Sequence, residues 1–251
     1  ILTFIIYMFI IMYGGMVMQG VMEEKTNRII EVMISSVKPF DLMMGKIIGI
    51  GFVGLTQVFL WGILTTVLVS GSLFFFGGNT SPEDMMTAQM TAQGINDVAA
   101  GSSDMQEIIN SINFGMIGTC FVLYFIGGYL LYAALFAAIG SALEQQEDTQ
   151  QFMTPIMLLM AFSLYAGIYS MNNPDGPLAF WCSMIPFTSP IVMMVRLPFD
   201  IPVWELALSF ALLFATAILI IWFSAKIYRV GILMYGKKPS IKEMIKWVKY
   251  K

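Results

Sequence analysis

The sequence has no histidine, only two cysteines and few charges: Asp, Glu, Lys and Arg together make up 12% of 251 residues. The missing histidine excludes a His-based triad, and with only two cysteines, far apart, a zinc site and a disulfide scaffold are excluded as well. Water-soluble domains are roughly one quarter charged, so an ordinary globular domain is excluded, and the apolar content excludes disorder. No G-x-x-x-x-G-K-[ST] run occurs, so this chain cannot cradle ATP by that route.

What the sequence does contain is apolar: 58% of its residues are hydrophobic and its mean hydropathy is +0.78. A helix needs roughly 20 apolar residues to cross about 30 Å of hydrocarbon. Uncharged stretches at 1–22, 47–82, 108–143, 149–174, 176–195 and 206–225 are each about that long. Five read as spanning helices, at about 1–21, 47–76, 114–143, 152–171 and 203–225. The stretch 176–195 holds Pro177, Pro186 and Pro190, with Pro198 and Pro202 close behind. Interior prolines break helices, so 176–202 reads as a broken or re-entrant prolyl segment at the membrane surface. The expected fold is an all-α polytopic membrane protein. It has five transmembrane helices plus this segment, an elbow at 22–46, an outside loop at 77–112 and a tail at 226–251.

Charge asymmetry sets the orientation. With five spans, one side receives 22–46, 144–151 and 226–251, which hold twelve of the 13 basic residues; Arg196 alone falls on the other side. A sixth span would scatter them. The expectation is a cytoplasmic C-terminus. A signal-peptide reading of 1–21 fails, because the run lacks a basic start and a small-residue cleavage site.

The elbow reads MEEKTNRIIEVMISSVKPFDLMMGK. It continues the first helix into water, and Glu24 and Arg28, at i, i+4, can pair. Ser35 to Pro39 then breaks the helix. From the residues alone this is either a solvated loop between spans or a patterned docking surface. Loop 144–151 carries Glu144, Glu147 and Asp148 without a base, and reads equally as a second contact or a solvated turn. Loop 77–112 has five acids and no base, and its Ser, Gly, Thr and Asn content reads as a soluble outside loop. In the tail, Ser240 and Glu243 match a capping box. Ile241, Met244, Ile245 and Val248 oppose Lys242, Lys246 and Lys249, with Trp247 at the boundary: a basic amphipathic helix for the anionic inner leaflet, not for nucleic acid. Gly45, Gly49, Gly54, Gly127 and Gly128 read as close-packing positions, and the 22 Met as adaptable packing. The span cores hold no ionisable residue, which weakens any proton-coupled mechanism and disfavours an intramembrane enzyme.

Three runs carry a resemblance: Glu23 to Val32 followed by Ser35 to Phe40 and Gly45 to Gly49; Glu144 to Asp148; and Pro186 to Pro190. Nearly the whole chain resembles the membrane subunits of type-2 ABC exporters (the ABC-2 permeases), and in particular the sodium-efflux-type branch. The resemblance implies a permease subunit of an ATP-driven exporter in a bacterial inner membrane. It implies that Glu23, Glu24, Lys25, Thr26, Asn27 and Arg28, and secondarily Glu144, Glu147 and Asp148, contact cytoplasmic ABC ATPase subunits. Two permease subunits would form the path, and ATP and Mg would be bound by the partner, with no cofactor in this chain. Family members also carry an earlier span and a large outside domain, so the expectation is an N-terminally incomplete member. The alternative is an ATP-independent secondary transporter or channel.

Overall fold

The computed structural model describes residues 2–27, 37–76, 114–143, 146–199 and 201–234. Among them the chain is all-helical: α1 (Leu2–Thr26), α2 (Pro39–Phe76), α3 (Phe114–Ala142), α4 (Gln146–Asn172), α5 (Pro177–Met184), α6 (Ser189–Arg196) and α7 (Val203–Gly231). Five of them (α1, α2, α3, α4 and α7) are long and apolar enough to cross a membrane. The chain divides into two compact units, residues 1–54 with 117–251, and residues 55–116.

The helices overrun the apolar stretches. α2 begins at Pro39, eight residues before Ile47. Pro39 occupies the first helical turn, where its missing N–H costs nothing. The Lys38 carbonyl accepts from the Asp41 and Leu42 amides at 3.0 and 3.2 Å. α4 begins at Gln146 rather than Phe152, and α7 continues past Ala225 to Gly231. Hydropathy marks the hydrocarbon, whereas backbone hydrogen bonding continues a helix into the interface.

In the first unit, α1 turns Ile6, Ile10, Tyr13, Val17 and Val21 inward, a helical spacing. Its outward stripe is Phe4, Met8, Met12 and Met16, all exposed. The core joins Tyr13, Val17 and Val21 to Met43 and Ile47 of α2, to Tyr129, Ala133, Ala134 and Ala137 of α3, and to Tyr228 of α7. The Tyr129 hydroxyl donates to the Ile47 carbonyl at 2.7 Å, which satisfies a phenol inside an apolar core.

The prolyl segment forms a helical hairpin, α5 and α6, that packs against α1, α4 and α7. Within it Ile191, Val192 and Met193 are fully buried, while Trp181 and Ile185 are exposed. Its turn meets α3 where the Tyr132 hydroxyl donates to the Phe187 carbonyl at 2.8 Å. Tyr132 lies ten residues before the end of α3 at Ala142, roughly 15 Å. Broken backbone at that depth must find internal partners. The Ser189 amide donates to the Ile185 carbonyl at 2.8 Å, and the Thr188 hydroxyl donates to the Cys182 carbonyl. Cys182 and Cys120 are both buried and free.

In the second unit, the outer part of α2 turns Phe59, Leu60, Val67 and Leu68 outward. The Thr65 and Thr66 hydroxyls bond back to the Trp61 and Gly62 carbonyls at 2.7 and 2.9 Å. These hydroxyls are satisfied locally, as apolar surroundings require.

Candidate functional site: the root of the elbow

Three helices end at one place. α1 ends at Thr26, α3 at Ala142 and α7 at Gly231. Each C-terminus leaves carbonyls without an intrahelical donor and carries the negative end of the helix dipole. Convergence of three such ends calls for a buried cation, and Lys25 supplies it. Its side chain is 1% exposed. The Nζ donates to the Ser141 carbonyl at 2.7 Å and the Gly231 carbonyl at 2.8 Å, with Ala142 at 3.5 Å.

Two glycines allow this convergence. A Cβ on Gly140 would stand 2.6 Å from the Met18 carbonyl oxygen, a backbone atom that cannot step aside, and one on Gly231 would meet the Ser141 Oγ at 2.8 Å. By contrast, Gly45 and Gly49, read from the sequence as packing positions, have open space there, whereas Gly54, Gly127 and Gly128 do meet Tyr13, Leu213 and Pro190.

Around Lys25 the elbow residues sort by exposure. Glu24 is half-buried, and its carboxylate pairs with the Lys46 ammonium of α2 at 2.7 Å. Arg28, the sequence-expected partner, lies outside the described residues. Glu23, Thr26 and Asn27 are exposed at i, i+3 and i+4 and share one outward face. The Thr26 hydroxyl caps back onto the Met22 carbonyl at 2.9 Å. The second loop joins the same place, since the Thr149 hydroxyl contacts the Met22 sulfur at 3.7 Å. Asp148 is half-buried there, at the start of α4, where a carboxylate complements the helix dipole. Glu144 lies outside the described residues, and so do Lys242, Lys246, Trp247 and Lys249 of the tail; the Glu147 side chain is likewise undescribed.

Sequence reasoning took Lys25 as part of an outward contact set. The structure turns it inward. The available signal was weak: a lysine at the end of a span, with Gly-Ser-Ala closing a second helix and glycine closing a third.

A second polar centre lies at the far end of the first unit. Arg196, in the last turn of α6, is 2% exposed. Its Nε donates to the Pro174 carbonyl at 2.8 Å and one terminal nitrogen to the Ser183 hydroxyl at 2.6 Å. The other terminal nitrogen pairs with Glu205, in the first turn of α7, at 3.0 Å. Cation at a C-terminus and anion at an N-terminus both oppose the local dipole. The Ser209 hydroxyl adds a bond to the Ser183 carbonyl at 2.7 Å. Arg196 is therefore a clasp that closes the hairpin onto α7.

These features define a multi-pass helical membrane protein whose span ends are tied together at the elbow. The chain belongs to the ABC-2 transporter family: the model of the ABC-2 family transporter protein matches residues 1–226. It is 31% identical to the uncharacterized protein YhaP of Bacillus subtilis over 244 residues, 96% of this chain and 52% of that protein. It is 25% identical to the uncharacterized protein MJ1024 of Methanocaldococcus jannaschii over 246 residues, 97% of this chain and 52% of that protein. The chain thus spans about half the length of these relatives. No solved structure matches it.

Proposed function

We propose that the chain is the permease part of an ATP-driven exporter, coupled through its elbow to a separate cytoplasmic ATPase. The observation that supports this most directly is the Lys25 junction. A force applied at the exposed face of Glu23, Thr26 and Asn27 acts on a helix end bonded to the ends of α3 and α7. Through Glu24 and Lys46 it also acts on the first turns of α2. Four helices then move together when the elbow is pushed. The acidic start of α4, held on Met22 by Thr149, forms the second contact. In this reading the elbow end faces the cytoplasm of a bacterial cell, ATP and Mg sit in the partner, and a second permease subunit completes the path.

Family membership supports the coupling, and the sodium-efflux-type branch is proposed from the elbow residues alone. The test is co-purification from native membranes. The parent chain should bring down a nucleotide-binding subunit. The double variant Glu23→Lys/Arg28→Glu should insert normally yet lose that subunit or its ATPase stimulation. Full recovery and stimulation with the double variant would remove the elbow from the coupling role. Transport that persists after ATP depletion and collapses with an ion gradient would favour an ATP-independent carrier.

A further inference from the structure

A groove of about 690 Å³ runs along the outside of α7 at the elbow end. One wall is a single helical stripe: Ile218, Ile221 and Trp222, Ala225 and Lys226, then Arg229. The start of α2 supplies Lys38, Pro39 and Phe40. Polarity is graded along it. Ile218 and Ile221 line the end away from the cations, Trp222 and Phe40 stand nearer to them, and Lys38, Lys226 and Arg229 line the elbow end. The Lys226 ammonium lies 3.9 Å from the Trp222 ring centre, so the aromatic belt and the cation share one place. Among the described residues no carboxylate lines the groove.

We propose that this groove holds one anionic phospholipid of the leaflet at the elbow end. The length fits: Ile218 to Arg229 spans roughly 16 Å of helix, close to the roughly 15 Å depth of one hydrocarbon leaflet. The charge fits as well. Three cations with no lining carboxylate suit a phosphate headgroup that carries net negative charge, and a zwitterionic headgroup would leave them uncompensated. An apolar trough ending in cations matches an acyl chain joined to a phosphate, whereas a free phosphate ion has no use for the trough. The site lies on α7 and the start of α2. It rests on membrane embedding alone and not on coupling to an ATPase, so a failed coupling test leaves it standing.

The experiment uses the full chain in nanodiscs of mixed phosphatidylglycerol and phosphatidylcholine, read by native mass spectrometry. Phosphatidylglycerol should be retained preferentially. The variant Lys38→Gln/Lys226→Gln/Arg229→Gln should weaken that retention by at least about tenfold, with phosphatidylcholine retention unchanged. With the three cations intact, a photoreactive phenylalanine analogue at Ile218 should give a lipid adduct. Equal retention of both lipids, no loss in the groove variant, an equal loss of both lipids in it, or a protein adduct at Ile218 would each overturn the assignment.

Discussion

The Lys25 ammonium replaces its hydration shell with carbonyl oxygens that two helices, α3 and α7, leave over at their ends. Removing it leaves those carbonyls buried and without this donor. Lys25→Met should therefore cost roughly 3 kcal/mol, read as a fall of about 5–10 °C in the melting temperature of the purified chain. Two tyrosines give a finer contrast. The Tyr129 hydroxyl has a partner, the Ile47 carbonyl, whereas the buried Tyr228 hydroxyl has none among the described residues. Tyr129→Phe should cost about 0.6 kcal/mol, the usual worth of a hydrogen bond inside a membrane protein. Tyr228→Phe should be neutral or stabilising, because it deletes an unsatisfied buried group. Paired thermal melts in one detergent compare the two directly. Reversed signs would place a missing partner at Tyr228.

Between elements the controlling variable is closeness of approach. Gly140 lies against the backbone of α1, and Gly45 faces open space. Gly140→Ala should thus destabilise, while Gly45→Ala should be neutral or gain about 0.5–1 kcal/mol from reduced backbone freedom. Thermal shift of the pair measures this. Sequence could not rank these glycines, since small residues at helix-interface spacing occur in both places and only the neighbour decides. The hairpin raises a comparable question of what holds it. Arg196→Met would leave Glu205 buried without its counter-charge, at a cost of about 3–5 kcal/mol. It should also expose Cys182, now 5% accessible, to maleimide labelling. The double variant Arg196→Met/Glu205→Leu should recover much of the stability, because replacing both charges removes the unpaired one. Continued loss in the double variant would show that the bonds to Pro174 and Ser183, rather than the ion pair, hold the hairpin down.

At the largest scale, within the first unit, the charged side chains with described partners gather at two ends. Residues 22–25, 46, 141–142, 149 and 231 meet at one, and residues 174, 183, 196 and 205 at the other. That sorting is the one expected of a chain crossing an odd number of times between its first and last spans. The proposed orientation has a direct check: an impermeant label applied to sealed cells should not reach a cysteine placed at residue 251, and should reach it after permeabilisation. Labelling of intact cells would invert the assignment and put the elbow outside.

The sequence by itself determined the class, the five spans and the sided distribution of charge, because a bilayer acts on composition directly and each apolar run must satisfy its own backbone. It also located the break at 176–202, since proline acts within its own helix. The tertiary structure alone decided what the few charges do. Lys25 turned inward to carbonyls 116 and 206 positions away, Glu24 chose Lys46, and Arg196 became a clasp, because those roles depend on which helix ends meet, and no local pattern encodes that meeting.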